Sequence, residues 1–417
     1  MAMGKRRQRQ EALFVMADGL PKSAGHPFYQ RLNGLLAEAE FDRWLERRCQ
    51  RYYAQEEQRG QPSIPPGVYF RMLLVGYFEG IDSQRGIAWR CAESLSLRQF
   101  LGIPLDEATP DPKTLSNTSR RLPEEVFDEV FQFVLGIAAE KKLLAGKTVG
   151  VDSTLLEANA AMKSIVRRDT GEDWKAYVRR LMHEEGAIDK DHKPTDEEIR
   201  RYDKQRKNKN VSNEEWVSPS DPASRIAQMK DGRTHLAYKA EHVVDLQSDV
   251  ILAAEIYPAD HAAETIALAD DLNFRTYIPQ RKQRYRSRWT DKPPAYQQAV
   301  YANRRRLQRA KSRQFPRWRS ERCERTFAHV CDTGGMRRSW LKEAVNVSKR
   351  YLIAAAAHNL GRILRKLFGV GKPRTLQGLA LLAALVPLLV AGHCLRLACW
   401  RRLLRPDRPN LAHGMAT

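Results

Sequence analysis

Asp152 is the first residue whose surroundings point to chemistry. It stands in the middle of residues 148–156, an apolar and β-branched run that predicts a strand buried on both faces. A buried carboxylate is costly unless it binds a cation or is paired, and Mg²⁺ is typically held by one or two carboxylates together with phosphate oxygens. Metal binding is therefore the chemical interpretation of Asp152. Capping of a strand end, or hydrogen bonding to Ser153 and Thr154, is the structural one.

Two glutamates on a predicted helix are the other acidic candidates. Phe327 follows Glu324 by three residues and would anchor the helix in the core, which would leave Glu324 near the sheet. Glu321 lies one turn earlier on nearly the same face and competes for the same role. Charge balance among the neighbouring arginines is the structural alternative for both.

The stretch from residue 275 to residue 325 has a large excess of positive charge. It contains 17 Lys and Arg residues against Asp291, Glu321 and Glu324. Six aromatic residues interleave with the cations: Tyr285, Trp289, Tyr296, Tyr301, Phe315 and Trp318. Cations contact backbone phosphates, and aromatic rings stack on bases. We interpret this stretch as a nucleic-acid contact, with a solvated surface as the alternative.

The whole chain has the charge of a protein with a polyanionic partner. Its 417 residues carry 71 Lys and Arg against 50 Asp and Glu, a formal net charge of +21. The 8 Trp, 14 Tyr and 13 Phe residues supply core-forming side chains and exclude a disordered basic protein. The six cysteines form no CxxC pair and no zinc-binding spacing, and the first residues are polar. We therefore expect reduced thiols and a cytoplasmic location.

Hydrophobic periodicity predicts an α+β protein with a helical domain in front. Residues 27–145 predict short helices joined by tight turns, which permits a helix-turn-helix DNA-binding domain; an all-helical packing module is the alternative. Residues 146–370 predict a mixed sheet flanked by helices, with a charged insertion at 165–215 that is either helical or flexible. For residues 371–417 we expect a helical, basic tail.

Within the second region, the predicted order is strand, insertion, hairpin, helix, strand and helices. The hairpin covers residues 233–257, the helix residues 262–272 and the later strand residues 275–279. In the tail, residues 378–394 are apolar and uncharged, but they are shorter than the roughly 20 residues that a membrane-spanning helix needs, and Pro387 interrupts them. We expect a packing helix there and no membrane partner.

Several ordered motifs resemble those of bacterial insertion-sequence transposases of the DDE class. In the second region they are residues 149–154 (VGVDST), 229–242 (MKDGRTHLAYKAEH), 301–304 (YANR), 324–329 (ERTFAH) and 333–337 (TGGMR). Residues 65–74 (PPGVYFRMLL) and 80–89 (GIDSQRGIAW) resemble the helical DNA-binding region of the same proteins. The resemblance runs from about residue 27 to residue 377, which is nearly the whole chain.

This resemblance implies an RNase H-like catalytic core, in which two Asp and one Glu hold two divalent ions for attack on a phosphodiester. The implied cofactor is Mg²⁺ or Mn²⁺. By position, Asp152 matches the first Asp and Glu324 the Glu, with Glu321 as its competitor. Tyr301 and Arg304 resemble the Tyr-x-x-Arg element that precedes that Glu. The residues expected to contact DNA are Tyr301, Arg304, Arg305, Arg306 and Arg325.

One element of the family pattern is missing. Members carry the second Asp on a strand that ends in Asp-Lys-Gly-Tyr, whereas residues 268–272 here run directly into residues 273–278. This suggests an in-frame deletion of one core strand, which would leave a sheet edge exposed. The nearby aspartates fall in a helix end, a turn or a loop and are poor replacements: Asp270, Asp271, Asp245, Asp249 and Asp260.

The resemblance therefore implies a transposase that binds the terminal repeats of its element and target DNA. Two ends must be brought together, so we expect a homodimer or a higher oligomer on double-stranded DNA. Loss of the second Asp should impair metal-dependent cleavage and strand transfer. The alternatives are a non-catalytic DNA-binding remnant and an RNase H-like nuclease without preference for a terminal sequence.

Overall fold

The computed structural model describes residues 25–53, 63–189, 192–206, 211–261, 275, 277–279 and 294–373. Helices make up most of these residues, and a small antiparallel sheet lies between an N-terminal and a C-terminal group of helices. The α+β class predicted from the sequence is confirmed.

Seven α-helices precede the first strand in the described residues, in the region where the periodicity predicts helices. They are α1 Pro27–Glu38, α2 Phe41–Cys49, α3 Pro66–Glu79, α4 Gln84–Glu93, α5 Leu95–Leu101, α6 Pro112–Arg121 and α7 Glu124–Glu140. Local chemistry fixes several starts. Pro66 occupies the first turn of α3, and the Ser83 hydroxyl accepts a hydrogen bond from the Gly86 amide in α4.

Six strands follow in the described residues. They are β1 Val149–Glu157, β2 Val166–Arg167, β3 Trp216–Val217, β4 Arg225–Gln228, β5 Thr234–Asp245 and β6 Val250–Pro258. β5 is central in the main sheet: β1 pairs with one edge, and β6 and β4 follow each other along the opposite edge. The expected mixed sheet is not found among the described residues, where all ladders are antiparallel and the parallel contact is an isolated bridge from Glu157 to Arg338.

The charged insertion is folded. β2 and β3 pair as a two-stranded ribbon, and the chain between them forms α8 Trp174–Glu184 and α9 Asp196–Gln205. Val178, Met182 and Ile199 form a small buried apolar cluster between the two helices. Of the two predictions for this insertion, the helical one is therefore confirmed for the described residues.

Three helices complete the described chain: α10 Pro294–Gln308, α11 Gln314–Ala328, which continues into the π-helical turn His329–Thr333, and α12 Ala344–Phe368. α12 packs against both α7 and β6. Its Asn359 side chain pairs with both backbone groups of Ile251, at 2.9 and 2.8 Å. The N-terminal helices and the sheet thus share one apolar core, and the domain boundaries at residues 145 and 370 stay predictions.

Residues 277–279 correct one prediction, because they lie in no strand. The Ile278 N–H donates to Asn303 Oδ1 at 2.9 Å, and the Ile278 carbonyl accepts from Asn303 Nδ2 at 2.8 Å. A side-chain amide of α10 therefore satisfies the two backbone groups that a neighbouring strand would have paired.

Some predictions lie outside the described residues. They concern the helix at 262–272, Asp270 and Asp271, and the apolar segment at 378–394. In the part of the chain that the structure describes, no helix has both the length and the apolar character needed to cross a membrane.

Candidate functional site

Asp152 and helix α11 lie on the same face of the sheet. Asp152 is directly opposite His242 in the β1–β5 ladder, and residues directly opposite each other in an antiparallel pair point to the same face. The His242 ring stacks on Phe327 of α11, with 4.1 Å between ring centroids. The structure therefore places the helix that carries Glu324 and Glu321 over the strand that carries Asp152.

A glycine allows α11 to approach β1 closely. Gly150 shares the face of Asp152, because side chains two positions apart on a strand point the same way. A Cβ atom at residue 150 would lie 2.7 Å from Leu246 Cδ2, 3.1 Å from Cys323 Sγ and 3.2 Å from Arg319 Cγ. A larger residue at this position would therefore push α11 away from the strand.

His242 holds α11 against the sheet through a chain of hydrogen bonds. The Thr326 hydroxyl donates to the Cys323 carbonyl at 2.8 Å, so its oxygen accepts from His242 Nδ1 at 3.0 Å. His242 Nε2 then accepts from the Tyr351 hydroxyl at 2.8 Å. Burial, followed by the nearby His358, lowers the pKa of His242 well below its ordinary value. The neutral ring that this network requires is therefore the favoured one.

Asp152 itself faces a cation supplied by the protein. Its side chain is 27% exposed, and Arg319 Nη1 lies 3.6 Å from Asp152 Oδ1. The Ser153 amide donates to the same oxygen at 3.0 Å, so the local hydrogen bond of the structural interpretation is present. Burial of the strand on both faces is wrong, because Val149 is exposed. Within the described residues, β1 has β5 as its single ladder partner. At the end of β1, Glu157 also exchanges backbone hydrogen bonds with Arg337 and Ser339.

Glu324 and Glu321 both lie on the exposed side of α11. Phe327 is buried, as the sequence predicts. Glu324 Oε1 accepts a hydrogen bond from Ser320 Oγ at 3.0 Å, whereas Glu321 pairs with Arg325 at 2.7 Å. Among the described residues, Glu321 has a cationic partner and Glu324 has none. Glu324 therefore stays the preferred candidate for binding a metal ion.

The Cys323 thiol lies close enough to several carboxylates for its acidity to change. Burial raises its pKa to about 12, and Asp152, Asp249 and Glu324 add to the increase, whereas Arg319 opposes it. The thiol therefore lies on the buried face of α11, within electrostatic range of both candidate carboxylates.

Asp249 organises the arginines of α11. It is 1% exposed and lies in the turn between β5 and β6 with a φ of 60°, a conformation that a short polar side chain tolerates. Arg322 and Arg325 of α11 and Arg362 of α12 lie 2.9, 3.2 and 3.2 Å from its carboxylate oxygens. The sequence predicted the turn. It did not predict that Asp249 neutralises Arg325, which was expected to contact DNA. The one hint of this ion pair in the sequence was an aspartate, Asp249, between two apolar strands of a hairpin.

Helix α10 carries four of the five residues expected to contact DNA. The Arg304 guanidinium lies over the Tyr301 ring, 5.4 Å from its centroid. Arg305 is exposed, whereas its two neighbours are half-buried, because successive helical residues point about 100° apart. The fifth residue, Arg325, lies on α11 and pairs with two carboxylates. Tyr301 and Arg305 are thus the exposed members of the set on α10.

The side chains around Asp152 can be compared with the needs of a metal site. A two-metal site holds ions about 3.5–4 Å apart between bridging and flanking carboxylates. In the described ranges, no group of three or more His, Cys, Asp or Glu side chains is arranged to hold a metal ion. Asp152 and Glu324 alone therefore fall short of a two-metal ligand set.

Comparison with known proteins gives one finding. Residues 19–121 match the model of a transposase domain family (DUF772), and the matched stretch includes helices α1 to α6. No curated protein and no solved structure matches the chain. Through its N-terminal helical region, the chain is therefore similar to transposases of mobile elements.

Proposed function

We propose that this chain is an insertion-sequence transposase that binds DNA but is impaired in metal-dependent cleavage and strand transfer. The match of residues 19–121 to a transposase domain is the observation that carries the proposal. The partners are the terminal repeats of the element, target DNA and further copies of the chain, because two ends must be held together.

The charge of the chain supports DNA as the partner. A net charge of +21 attracts a polyanion and makes the affinity depend steeply on salt. On α10, the exposed Tyr301 and Arg305 offer a ring for stacking and a guanidinium for a phosphate. In this proposal Arg304 and Arg306 support the same contact, and Arg325 reaches a phosphate only in competition with Asp249.

The proposed chemistry is that of a DDE-type site on an RNase H-like core. Asp152 and Glu324 are the two carboxylates that remain of the ligand set, and Mg²⁺ or Mn²⁺ is the ion that they would bind. Such an ion, when bound, stabilises charge on the scissile phosphate. The chain's own side chains limit this chemistry, because Arg319 at 3.6 Å competes with a divalent cation for Asp152 and a third carboxylate is missing from the described cluster.

The runner-up is a DNA-binding remnant without any cleavage activity. The ion pair between Arg319 and Asp152 favours it, because a carboxylate neutralised by a guanidinium no longer attracts a divalent ion strongly. The remnant would occupy terminal repeats or interfere with an active relative.

Binding and nicking of DNA by the full chain test the proposal. We expect a shift of duplex DNA in gels that weakens steeply as salt is raised. In Mg²⁺ or Mn²⁺, nicking of a supercoiled plasmid that contains the flanking DNA of the gene should stay within about twofold of the Asp152→Ala level, whereas a complete two-metal site accelerates phosphodiester cleavage by many orders of magnitude. Glu321→Ala is the matched control for Glu324→Ala on the same helix.

The outcomes separate the proposal from an intact transposase and from a general nuclease. Nicking that is lost in both Asp152→Ala and Glu324→Ala but kept in Glu321→Ala would show a complete site and remove the claim of impairment. Cleavage with no preference for the flanking DNA would favour a general nuclease. Absence of duplex binding even at low salt would refute the proposal as a whole.

A further inference from the structure

Helix α6 presents a polar stripe that is opposite its buried face. Lys113, Asn117 and Arg120 are exposed and follow the i, i+4, i+7 spacing, which places them on one side of a helix. Leu115 and Thr118 are buried on the other side. The stripe is therefore the surface that α6 offers to a partner.

The stripe has the composition of a nucleic-acid contact. Helix α6 contains no acidic residue between Pro112 and Arg121, and the Asp111 carboxylate at its start caps the Thr114 amide at 2.6 Å. Among the described residues, no side chain forms an ion pair or a hydrogen bond with those of Lys113, Asn117 and Arg120. Their hydrogen-bonding groups are thus available to a ligand.

The chemistry of the three side chains suits the edges of bases rather than phosphates alone. Lys and Arg pair with the O6 and N7 atoms of guanine, and Asn pairs with N6 and N7 of adenine, all in the major groove. An α-helix fits in that groove and reads it through residues near its N-terminus. Lys113 and Asn117 occupy the first two turns of α6.

Helix α6 is also tied rigidly to the rest of the molecule. The Ser116 hydroxyl donates to the Gln84 side chain of α4, and Lys349 of α12 donates to the Ser119 carbonyl at 3.0 Å. A base-reading helix needs such support, because specific contacts depend on a fixed position in the groove.

The same support continues to the strand of Asp152. Just before α4, Asp82 accepts a hydrogen bond from Trp340 Nε1 at 2.8 Å. The Trp340 carbonyl in turn accepts from Asn159 Nδ2 at 2.8 Å, two residues after the end of β1. DNA held by α6 would therefore have a defined position relative to β1.

We infer that α6 is the helix that reads the DNA sequence, with Lys113, Asn117 and Arg120 as its specificity-determining residues. This inference rests on the proposed function, because it assumes that the partner is double-stranded DNA. Beyond that function, it identifies the surface of the protein that selects the DNA sequence. The basic stretch at 275–325 does not identify such a surface.

Selection from a pool of randomised duplexes tests the inference, with the full chain and three single variants. Wild type should enrich one sequence motif. Asn117→Ala and Lys113→Ala should each relax the motif at one or two base pairs, with the preference there reduced by about 5- to 150-fold, while binding to a random duplex changes by less than about threefold. Arg47→Ala is the matched control, because Arg47 is an exposed arginine in the last turn of another helix, α2. It should leave the motif unchanged.

The results distinguish this inference from the function on which it rests. An unchanged motif in both α6 variants, or a wild type that binds duplexes but enriches no motif, would refute the role of α6 and leave DNA binding intact. A wild type that binds no duplex would refute both. Circular dichroism of each variant should match wild type, because the substituted side chains are exposed.

Discussion

Replacing Asp249 by asparagine should lower the free energy of unfolding by about 2–4 kcal/mol. The carboxylate is 1% exposed and lies 2.9–3.2 Å from the guanidinium groups of Arg322, Arg325 and Arg362. Asparagine keeps the shape of the side chain and tolerates the left-handed backbone, where φ is 60°. The substitution therefore removes the negative charge, and it also replaces one acceptor oxygen by an NH₂ donor that faces the arginine N–H groups.

The magnitude follows from the access of each arginine to water. Removal of one partner from a fully buried ion pair costs about 3–5 kcal/mol, because the other charge is left buried and unpaired. The three arginine side chains are 31, 40 and 24% exposed, so they can turn partly toward solvent and the loss is smaller. Fully exposed pairs contribute only about 0–1 kcal/mol, so the expected loss of about 2–4 kcal/mol lies between the exposed and the fully buried case.

Urea denaturation followed by tryptophan fluorescence measures this loss, since guanidinium chloride would itself screen the ion pairs. Glu321→Gln is the matched control. It removes a carboxylate from the same Arg325, but Glu321 is 51% exposed, so its loss should stay below about 1 kcal/mol. Equal losses for the two variants, or an Asp249→Asn protein as stable as wild type, would refute the electrostatic reasoning.

Two further predictions concern packing and pH. Gly150→Val should destabilise the protein by about 1–3 kcal/mol, because the added side chain overpacks the space under α11. Gly136→Ala, in open space on α7, should instead stabilise the protein by about 0.5–1 kcal/mol. Equal urea midpoints for the two variants would contradict this prediction. Burial lowers the pKa of His358 to about 3 in the folded protein, whereas the pKa of a histidine in the unfolded chain is about 6.5. Between these two pH values the His358 ring is protonated in the unfolded chain but neutral in the folded one. This contribution to stability is present above pH 6.5 and lost as the pH falls toward 3, and His358→Gln should reduce the slope by up to about 1.4 kcal/mol per pH unit. Urea midpoints at pH 7, 6 and 5 measure it, and an unchanged slope would be evidence against the effect.

The secondary structure was largely predictable because its signals are local. The proline pair at the start of α3, the Ser83 cap of α4 and the turn after β5 are each encoded within a few residues. The strand predicted at residues 275–279 failed for a non-local reason. Its apolar, β-branched composition permits a strand, but the Asn303 side chain occupies the backbone groups of Ile278.

The candidate site was predictable only in part. The sequence interpreted the single carboxylate in an apolar strand as a metal ligand and used Phe327 to anchor the helix of Glu324. The structure lays α11 over the face of β1 that carries Asp152, and the role of the two carboxylates as metal ligands stays a prediction. The prediction missed Arg319 beside Asp152 and the role of His242 in holding α11. Both contacts depend on which turn of α11 lies over which residue of the sheet. The helical period of 3.6 residues and the strand period of 2.0 residues do not encode that register.

By itself, the sequence determined that this protein is basic, and it predicted an α+β fold, helices between residues 27 and 145 and a resemblance of the ordered motifs to insertion-sequence transposases. Only the tertiary structure decided which charges are free and which are neutralised. Asp249 binds Arg322 and Arg325 across 73 and 76 residues, whereas Lys113, Asn117 and Arg120 on α6 stay open to a partner. The physical reason is that a charge is neutralised by its neighbours in space, and those neighbours are set by the packing of distant helices and strands rather than by adjacent residues.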